Sequence, residues 1–377
     1  VDNRGQATSE YVAILLMVAA ALAGAATLAV AVPGVGDRVV EAVRTGICIV
    51  GGDVCRRADA AAAGLEPCLT DQRSRRQDTT LDVAVLRLGG HGEWQLALRS
   101  DGKAVVTRLE ENEVGATAGV GLTFSPAGVA ASAAATVVAG YNSGRAWRFD
   151  DARSASAFLA AAQRDESVRA SRASDVRWQS IASRADSHAR VALAELGHAG
   201  LSAVASTAIG LRTDGDRRTL TLDLGLDDPR LASSLGALPA GAGAQRSWVA
   251  NLSWEGGEPR ELALRAATGR GDLQDEYSAR LDLRDAGNRA IVERLLRPGA
   301  STPANVAALV ARMRTHGVVE HAGYVVTEQR RGFSVAGKLG VALGLSHHRI
   351  RAERRLVEAV AWVRGGQLQR RFDCVGG

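Results

Sequence analysis

The chain is poor in lysine, proline, methionine and aromatic residues. Of its 46 basic residues only Lys103 and Lys338 are lysines, and its 377 residues include 8 Pro, 2 Met, 6 Trp, 4 Tyr and 5 Phe. Four cysteines in a chain of this length exclude a disulfide-dense miniprotein. A composition 46% apolar and 23% charged excludes collagen and wholesale disorder. Ala and Val dominate the apolar class, so any core is built from small side chains packed closely. The length suits an anchor plus one large or two medium domains.

Catalytic signatures are missing as well. No Gly-x-Ser-x-Gly, His-Glu-x-x-His or dinucleotide fingerprint occurs. Gly332-Phe333-Ser334-Val335-Ala336-Gly337-Lys338-Leu339 approaches a phosphate-binding loop. Leu339 stands where a Ser or Thr would ligate magnesium, and the following residues alternate like a strand where a helix is required. His316 and His321 flank Val318-Val319-Glu320, and His347-His348 is a doublet; neither has ligand spacing, and both read as polar strand residues. Arg270-Gly271-Asp272 matches an adhesion tripeptide, which chance explains in a chain rich in Arg and Gly. The expectation is a protein that is not an enzyme and takes neither cofactor nor metal.

Charge is unevenly placed. The net charge is +5, yet residues 328–377 alone hold ten cations (Arg330, Arg331, Lys338, Arg349, Arg351, Arg354, Arg355, Arg364, Arg370, Arg371) against Glu328, Glu353, Glu358 and Asp373. Such a segment can meet phosphate or anionic lipid. Its cations alternate with apolar residues, as on the solvated face of a sheet, and no nucleic-acid partner is expected.

What the chain does have is a long apolar run. Tyr11 to Val32 carries no charge over 22 residues. As a helix it would extend about 33 Å, enough for a hydrocarbon core of about 30 Å. Pro33 and Gly34 break it, and Val35, Val39, Val40, Val43 and Ile47 follow at helical spacing. Before it stands Arg4-Gly5-Gln6-Ala7-Thr8-Ser9-Glu10-Tyr11. This segment resembles the processing site of type IVb (Flp-type) prepilins and TadE-like pseudopilins: a basic leader, a Gly, four residues, then Glu-Tyr opening the apolar helix.

The resemblance implies cleavage by prepilin peptidase after Gly5, leaving Gln6 as the new amino terminus, with Glu10 pairing to that amine on a neighbouring subunit and Tyr11 beside it. It implies pilus or secretion assembly components as partners, along with the lipid bilayer, and self-association into an oligomer. It places a single-pass protein in the cell membrane, amino terminus cytoplasmic and body outside. Two alternatives stay open: Glu10 simply sits at headgroup depth beside an interfacial Tyr, or an ordinary signal peptide ends after Ala31. The run exceeds the usual length of such peptides, about 7 to 15 apolar residues. The resemblance covers roughly the first 35 residues. Flp-type subunits are far shorter than this chain, so a minor subunit, a pseudopilin or a surface protein using the same route is expected.

Cys48, Cys55, Cys68 and Cys374 fit an oxidising compartment and allow three connectivities. The preferred one pairs Cys48 with Cys55 and Cys68 with Cys374. Metal binding is the rival, without a Cys-x-x-Cys or a nearby His to support it.

Gln72 to Asp78 reads as a polar connector, after which period-two patterning begins. Strands are expected at Leu81–Leu88, Glu93–Arg99 and Lys103–Glu110, with turns at Gly89-Gly90 and Asp101-Gly102, then at Val114–Phe124, Val129–Gly140 and Gly144–Asp150. Asp151 to Glu195 reads as helical. Strands resume at Leu201–Leu211, Arg218–Leu226, Ser247–Trp254, Arg260–Ala267 and Tyr277–Leu283. Helices follow at Asp285–Leu296 and Pro303–Arg314, then strands at Val318–Gln329, Gly332–Leu345, Ile350–Arg364 and Gln367–Phe372. A weak echo between 119–149 and 340–372 suggests a duplicated β-plus-helix unit, for which shared Ala/Gly bias is the simpler cause.

The fold class expected is α+β: an amino-terminal transmembrane helix followed by a mainly antiparallel β body with helical inserts. The divisions are a leader at 1–5, the helix at 6–33, an amphipathic Cys-bearing connector at 34–80, a β meander plus helices at 81–200, and a β-rich part with two helices at 201–377. The function expected is a membrane-anchored, pilin-like surface protein acting in assembly, secretion or adhesion. The alternative is a pore-forming or toxin-like effector. Its hairpin Gly115–Gly140 is uncharged and has two strands just long enough to cross a bilayer.

Overall fold

In the computed structural model the described residues are 46, 48, 52–83, 86–116, 120–124, 129–135, 138–183, 190–193, 206–225, 247–297, 302–338, 342–364, 366 and 368–375. The chain groups into two units, Val1–Arg56 and Arg57–Gly377. In the first, a disulfide joins Cys48 to Cys55.

The second unit opens with α1 (Arg57–Ala62), β1 (Leu69–Val83), β2 (Leu86–Arg99), β3 (Ala104–Ala116), β4 (Val120–Phe124), β5 (Val129–Ala135) and β6 (Val138–Phe149). Then come α2 (Ala152–Ala162), α3 (Glu166–Ser171), β7 (Val176–Ser183), β8 (Arg190–Leu193), β9 (Ser206–Asp214), β10 (Arg217–Gly225), β11 (Ser247–Glu255), β12 (Glu258–Arg270) and β13 (Leu273–Asp282). It finishes with α4 (Ala286–Leu295), α5 (Pro303–His316), β14 (Val318–Lys338), β15 (Ala342–Val363), β16 (Leu368–Arg370) and α6 (Phe372–Val375).

Twelve of these strands pair in the order β1-β2-β3-β6-β7-β9-β10-β11-β12-β13-β14-β15, and β15 returns to β1. All pairings are antiparallel, and the closing seam runs from Asp71↔Arg355 to Val83↔Leu343. The result is a closed barrel, from which the rim half of β14 extends beyond its pairing with β13, which ends at Leu273↔Val325. β16 continues along β15 at Val360–Trp362, beyond the end of the β1 pairing. β4, β5 and β8 form a separate three-stranded sheet.

Up-and-down connectivity puts every second connection at the same end. At the base lie the β2–β3 and β9–β10 turns, the β11–β12 turn and both helical excursions. Glu255-Gly256-Gly257-Glu258 is tight because both glycines have positive φ, 60° and 86°, the geometry of a type I′ hairpin. At the other end, the rim, lie the β1–β2, β12–β13 and β14–β15 connections and the excursions through β4, β5 and β8.

The helices begin where side chains satisfy their first amides. Asp151 accepts from Ser154 N, Asp285 from Asn288 N and Thr302 from Asn305 N, with Pro303 in the first turn of α5. α4 and α5 bury Val292, Leu309, Val310 and Met313 in one core with Leu220, Trp248, Leu252, Leu264, Ala279 and Leu281 of β10–β13. α2 packs Ala155, Ala162, Phe158 and Leu159 on Trp94, Leu96, Val106 and Trp147 of β2, β3 and β6.

The α+β expectation is corrected by this ring: the described body is one closed twelve-strand barrel carrying helices at its base. Among the described residues no helix is long and apolar enough to cross a membrane. Tyr11–Val32, the leader, and Gly5, Gln6, Glu10 and Tyr11 lie outside the described residues. Local boundaries also move. Gln72–Asp78 belongs to β1, Gly89-Gly90 lies inside β2, and Val176–Ser183, within the stretch read as helical, is β7. In β1 both faces are polar, so the alternation that marks a strand is invisible in hydropathy.

Candidate functional site

Register divides the ring into two faces. One carries Thr107, Asp214, Arg217, Ser253, Glu261, Arg280 and Glu320; the other carries the apolar rows that the helices cover. Glu66, just before β1, is within the field of Arg280, Arg265, Arg99 and Arg217. Those arginines stand on β13, β12, β2 and β10, so strands from nearly opposite sides of the ring converge on one carboxylate. Only the lumen allows that convergence, and the polar face is therefore the inner one. Along it, Arg148 forks onto Asp214 across β7, with Nη1 to Oδ1 at 2.9 Å. Arg217 reaches Ser253 Oγ on β11 at 3.0 Å and, across that strand, Glu261 Oε1 on β12 at 3.2 Å.

The base of the lumen is filled by the segment that enters β1 and by α6 with the residue before it. The Cys68–Cys374 disulfide ties the entry of β1 to α6. Around it Arg280 meets Glu66 at 3.1 Å and Glu320 at 2.7 Å. Arg371, 1% exposed, meets Glu320 at 2.6 Å and Asp373 at 2.8 Å, and donates to the Glu66 carbonyl at 2.9 Å. Burial alone would raise the Glu66 carboxyl, but Arg280, with Arg265, Arg99 and Arg217, outweighs it and holds the group below its ordinary range. A cavity of about 310 Å³ remains beside the plug, lined by Glu66, Cys68, Arg265, Arg280, Glu320 and Tyr324 among others. These charges face one another, which suits a structural plug.

The outer face changes character along its height. Near the base it is covered by α2, α4 and α5. Towards the rim, Leu81, Leu88, Tyr141, Phe333 and Leu345 are 37–52% exposed. Leu81 pairs with Leu88 and Leu345; Phe333 pairs with His347, which pairs with Thr79. Tyr141 joins that second row through Asn112 and Gly90. The first row is apolar, and the second sets Phe333 and Tyr141 among His347, Thr79, Gly90 and Asn112. Immediately below them the same face turns to arginine, with Arg331 opposite Arg349 and, one row further, Arg75 opposite Arg351.

The residues singled out in the sequence scatter across this frame. His347 Nδ1 meets Thr79 Oγ1 at 3.0 Å, and His321 Nε2 meets Asp275 Oδ1 at 3.1 Å while stacking on Tyr277. Gly332 to Lys338 is strand β14, so the phosphate-loop resemblance has no loop beneath it. Gly332 fits there because a Cβ would overlap the carbonyl of His347 on β15. In the hairpin Gly115–Gly140, β4 and β5 pair from Val120↔Ala135 to Phe124↔Ala131. The plug residues Glu66, Arg280, Glu320 and Arg371 escaped sequence reasoning. Partners some 305 residues apart, such as Glu66 and Arg371, leave no local pattern.

No family model matches this chain, and no curated protein matches it. Among solved structures it is similar to the Pseudomonas putida toluene transporter TodX at 7% identity, covering 76% of this chain and 89% of that one, with a TM-score of 0.16. A mutant Rh. blastica porin is similar at 8% identity, with 76% and 100% coverage and a TM-score of 0.21. The translocator domain of the autotransporter NalP from Neisseria meningitidis is similar at 10% identity, with 84% and 98% coverage and a TM-score of 0.15. At such scores the likeness carries no argument, and the barrel stands on its own strand pairings. Those pairings overturn the pilin-like resemblance as an account of the body, and with it the single-pass placement, the pilin-like surface function and the partners drawn from it, prepilin peptidase and pilus or secretion assembly components.

Proposed function

We propose that this protein is a membrane-inserting barrel that forms a pore, entering the bilayer by its rim. The observation that carries the proposal is the change of the outer face along β14, β15 and β1, where arginines on the base side give way to exposed Phe333, Leu345 and Leu81 on the rim side. Arg331 stands next to Phe333 on this face of β14, Arg351 and Arg349 stand on the base side of Leu345 on β15, and Arg75 stands on the base side of Leu81 on β1. Each large apolar side chain moved from water into lipid is worth about 2 kcal/mol, whereas an arginine on a lipid face costs about 2–4 kcal/mol at the midplane. Insertion of the rim is favourable and halts at the arginines. The stretch Val114 to Gly140 carries no charge. It leaves and re-enters the ring at the rim through β3 and β6, beyond Gly115↔Val138. Its strands β4 and β5 pair with each other and with β8 in a sheet separate from the ring. A polar inner face above an apolar outer face is the pattern of a membrane barrel.

Dye release from liposomes tests this. The oxidised full chain is expected to release an entrapped dye, and V120D or L345D to abolish release while leaving the Cys68–Cys374 disulfide intact. Absence of leakage from wild-type protein bound to vesicles, or unchanged leakage by both variants, would overturn it.

A further inference from the structure

We infer that Arg75, Arg331, Arg349 and Arg351 form a collar that docks on the phosphates of anionic lipid headgroups and sets the depth of the rim. The inference rests on the pore reading and adds the class of lipid. Arg331 faces Arg349, and Arg75 faces Arg351, in directly opposed cross-strand pairs of the β14–β15–β1 seam. Like charges so placed repel, and they persist where an anion from outside joins them. All four are exposed. Arg331, Arg349 and Arg351 make no ion pair with a described residue, and Arg75 meets Gln163 Oε1 at 3.4 Å. The nearby carboxylates are already engaged: Glu353 lies 3.9 Å from Arg73, and Glu110 lies 3.2 Å from Arg108.

Height matches chemistry. The Arg331–Arg349 row sits two residues below the Phe333–His347–Thr79 row, about 7 Å at the rise of an extended strand. That step suits guanidinium groups at phosphate level while Phe333 and Leu345 enter the acyl chains, a burial of about 5–10 Å. Arginine is the cation suited to this contact, since its planar fork binds a phosphate through two parallel hydrogen bonds.

Co-flotation of the full chain with vesicles of phosphatidylcholine, alone or mixed with phosphatidylglycerol, tests the collar. Tighter binding to the anionic vesicles is expected, weakening as salt rises. Each arginine near an anionic surface contributes roughly fivefold, so R331Q/R349Q should bind them about 25-fold more weakly and match wild type on phosphatidylcholine. Should that variant fail to form the Cys68–Cys374 disulfide, R75Q/R351Q serves the same comparison. Equal wild-type binding to both vesicles, or wild-type binding by the variants, overturns the collar. So does displacement by inorganic phosphate or by duplex RNA at matched ionic strength, which would assign the patch to free phosphate or nucleic acid. Charge-dependent binding without dye release would defeat the pore and leave the collar standing; dye release without charge dependence would do the reverse.

Discussion

Arg371 is 1% exposed, and its guanidinium is shared by Glu320, Asp373 and the carbonyl of Glu66. Replacing it with Met leaves Asp373, itself 1% exposed, without a cation. Removing one partner of a buried ion pair costs about 3–5 kcal/mol, so R371M is expected to lower the urea midpoint by that equivalent. Glu66 makes a pH-dependent contribution. Its carboxyl lies below its ordinary value, so the stability its ionised form confers is fully present above the ordinary glutamate range and is lost as pH falls through the lowered value. Wild type and E66Q should therefore differ in urea midpoint at neutral pH and converge in acid. A constant difference across that range would show that the arginines do not act through this carboxylate.

At the scale of elements, α5 illustrates how an insertion is held to the barrel. Met313 is 0% exposed in the core it shares with β10–β14. M313A is expected to cost about 2–5 kcal/mol, read as a lower thermal midpoint with unchanged far-ultraviolet dichroism. Elements of this kind were legible in the sequence. Pro303 after Thr302 announced the start of α5, and Asp101-Gly102 announced the β2–β3 turn. β11 and β12 declared themselves because apolar residues alternate on the face that α4 and α5 cover. β1 hid because its inner face carries Gln72, Ser74 and Arg76 while its outer face carries Arg73, Arg75 and Gln77, leaving no hydrophobic period. Ring closure hid for a different reason: the seam from Asp71 to Arg355 is a long-range pairing that no local pattern encodes. The uncharged Gly115–Gly140 stretch was visible in the sequence, but the apolar rim residues Leu81, Leu88, Phe333 and Leu345 stand on four different strands, and their contrast with the arginines needs the register to be seen.

For the whole molecule, the Cys68–Cys374 bond closes a loop with a sequence separation of 306. In the chain-entropy account that is worth about 6 kcal/mol, against about 2 for the short Cys48–Cys55 loop. C68S/C374S is expected to lower the urea midpoint by much more than C48S/C55S; similar losses would mean that loop size does not govern the effect. The seam has a further consequence, in the order of assembly. Because β1 and β15 are the first and last strands of the ring, no ring exists on the ribosome until β15 has emerged. Until then β1 keeps an open edge, and pairing across so many intervening residues is slow. The Leu81↔Leu345 contact of the rim belongs to that same seam. Under the pore reading, the surface that enters a bilayer is completed in the final folding event, so the nascent chain is synthesised before it can attack a membrane.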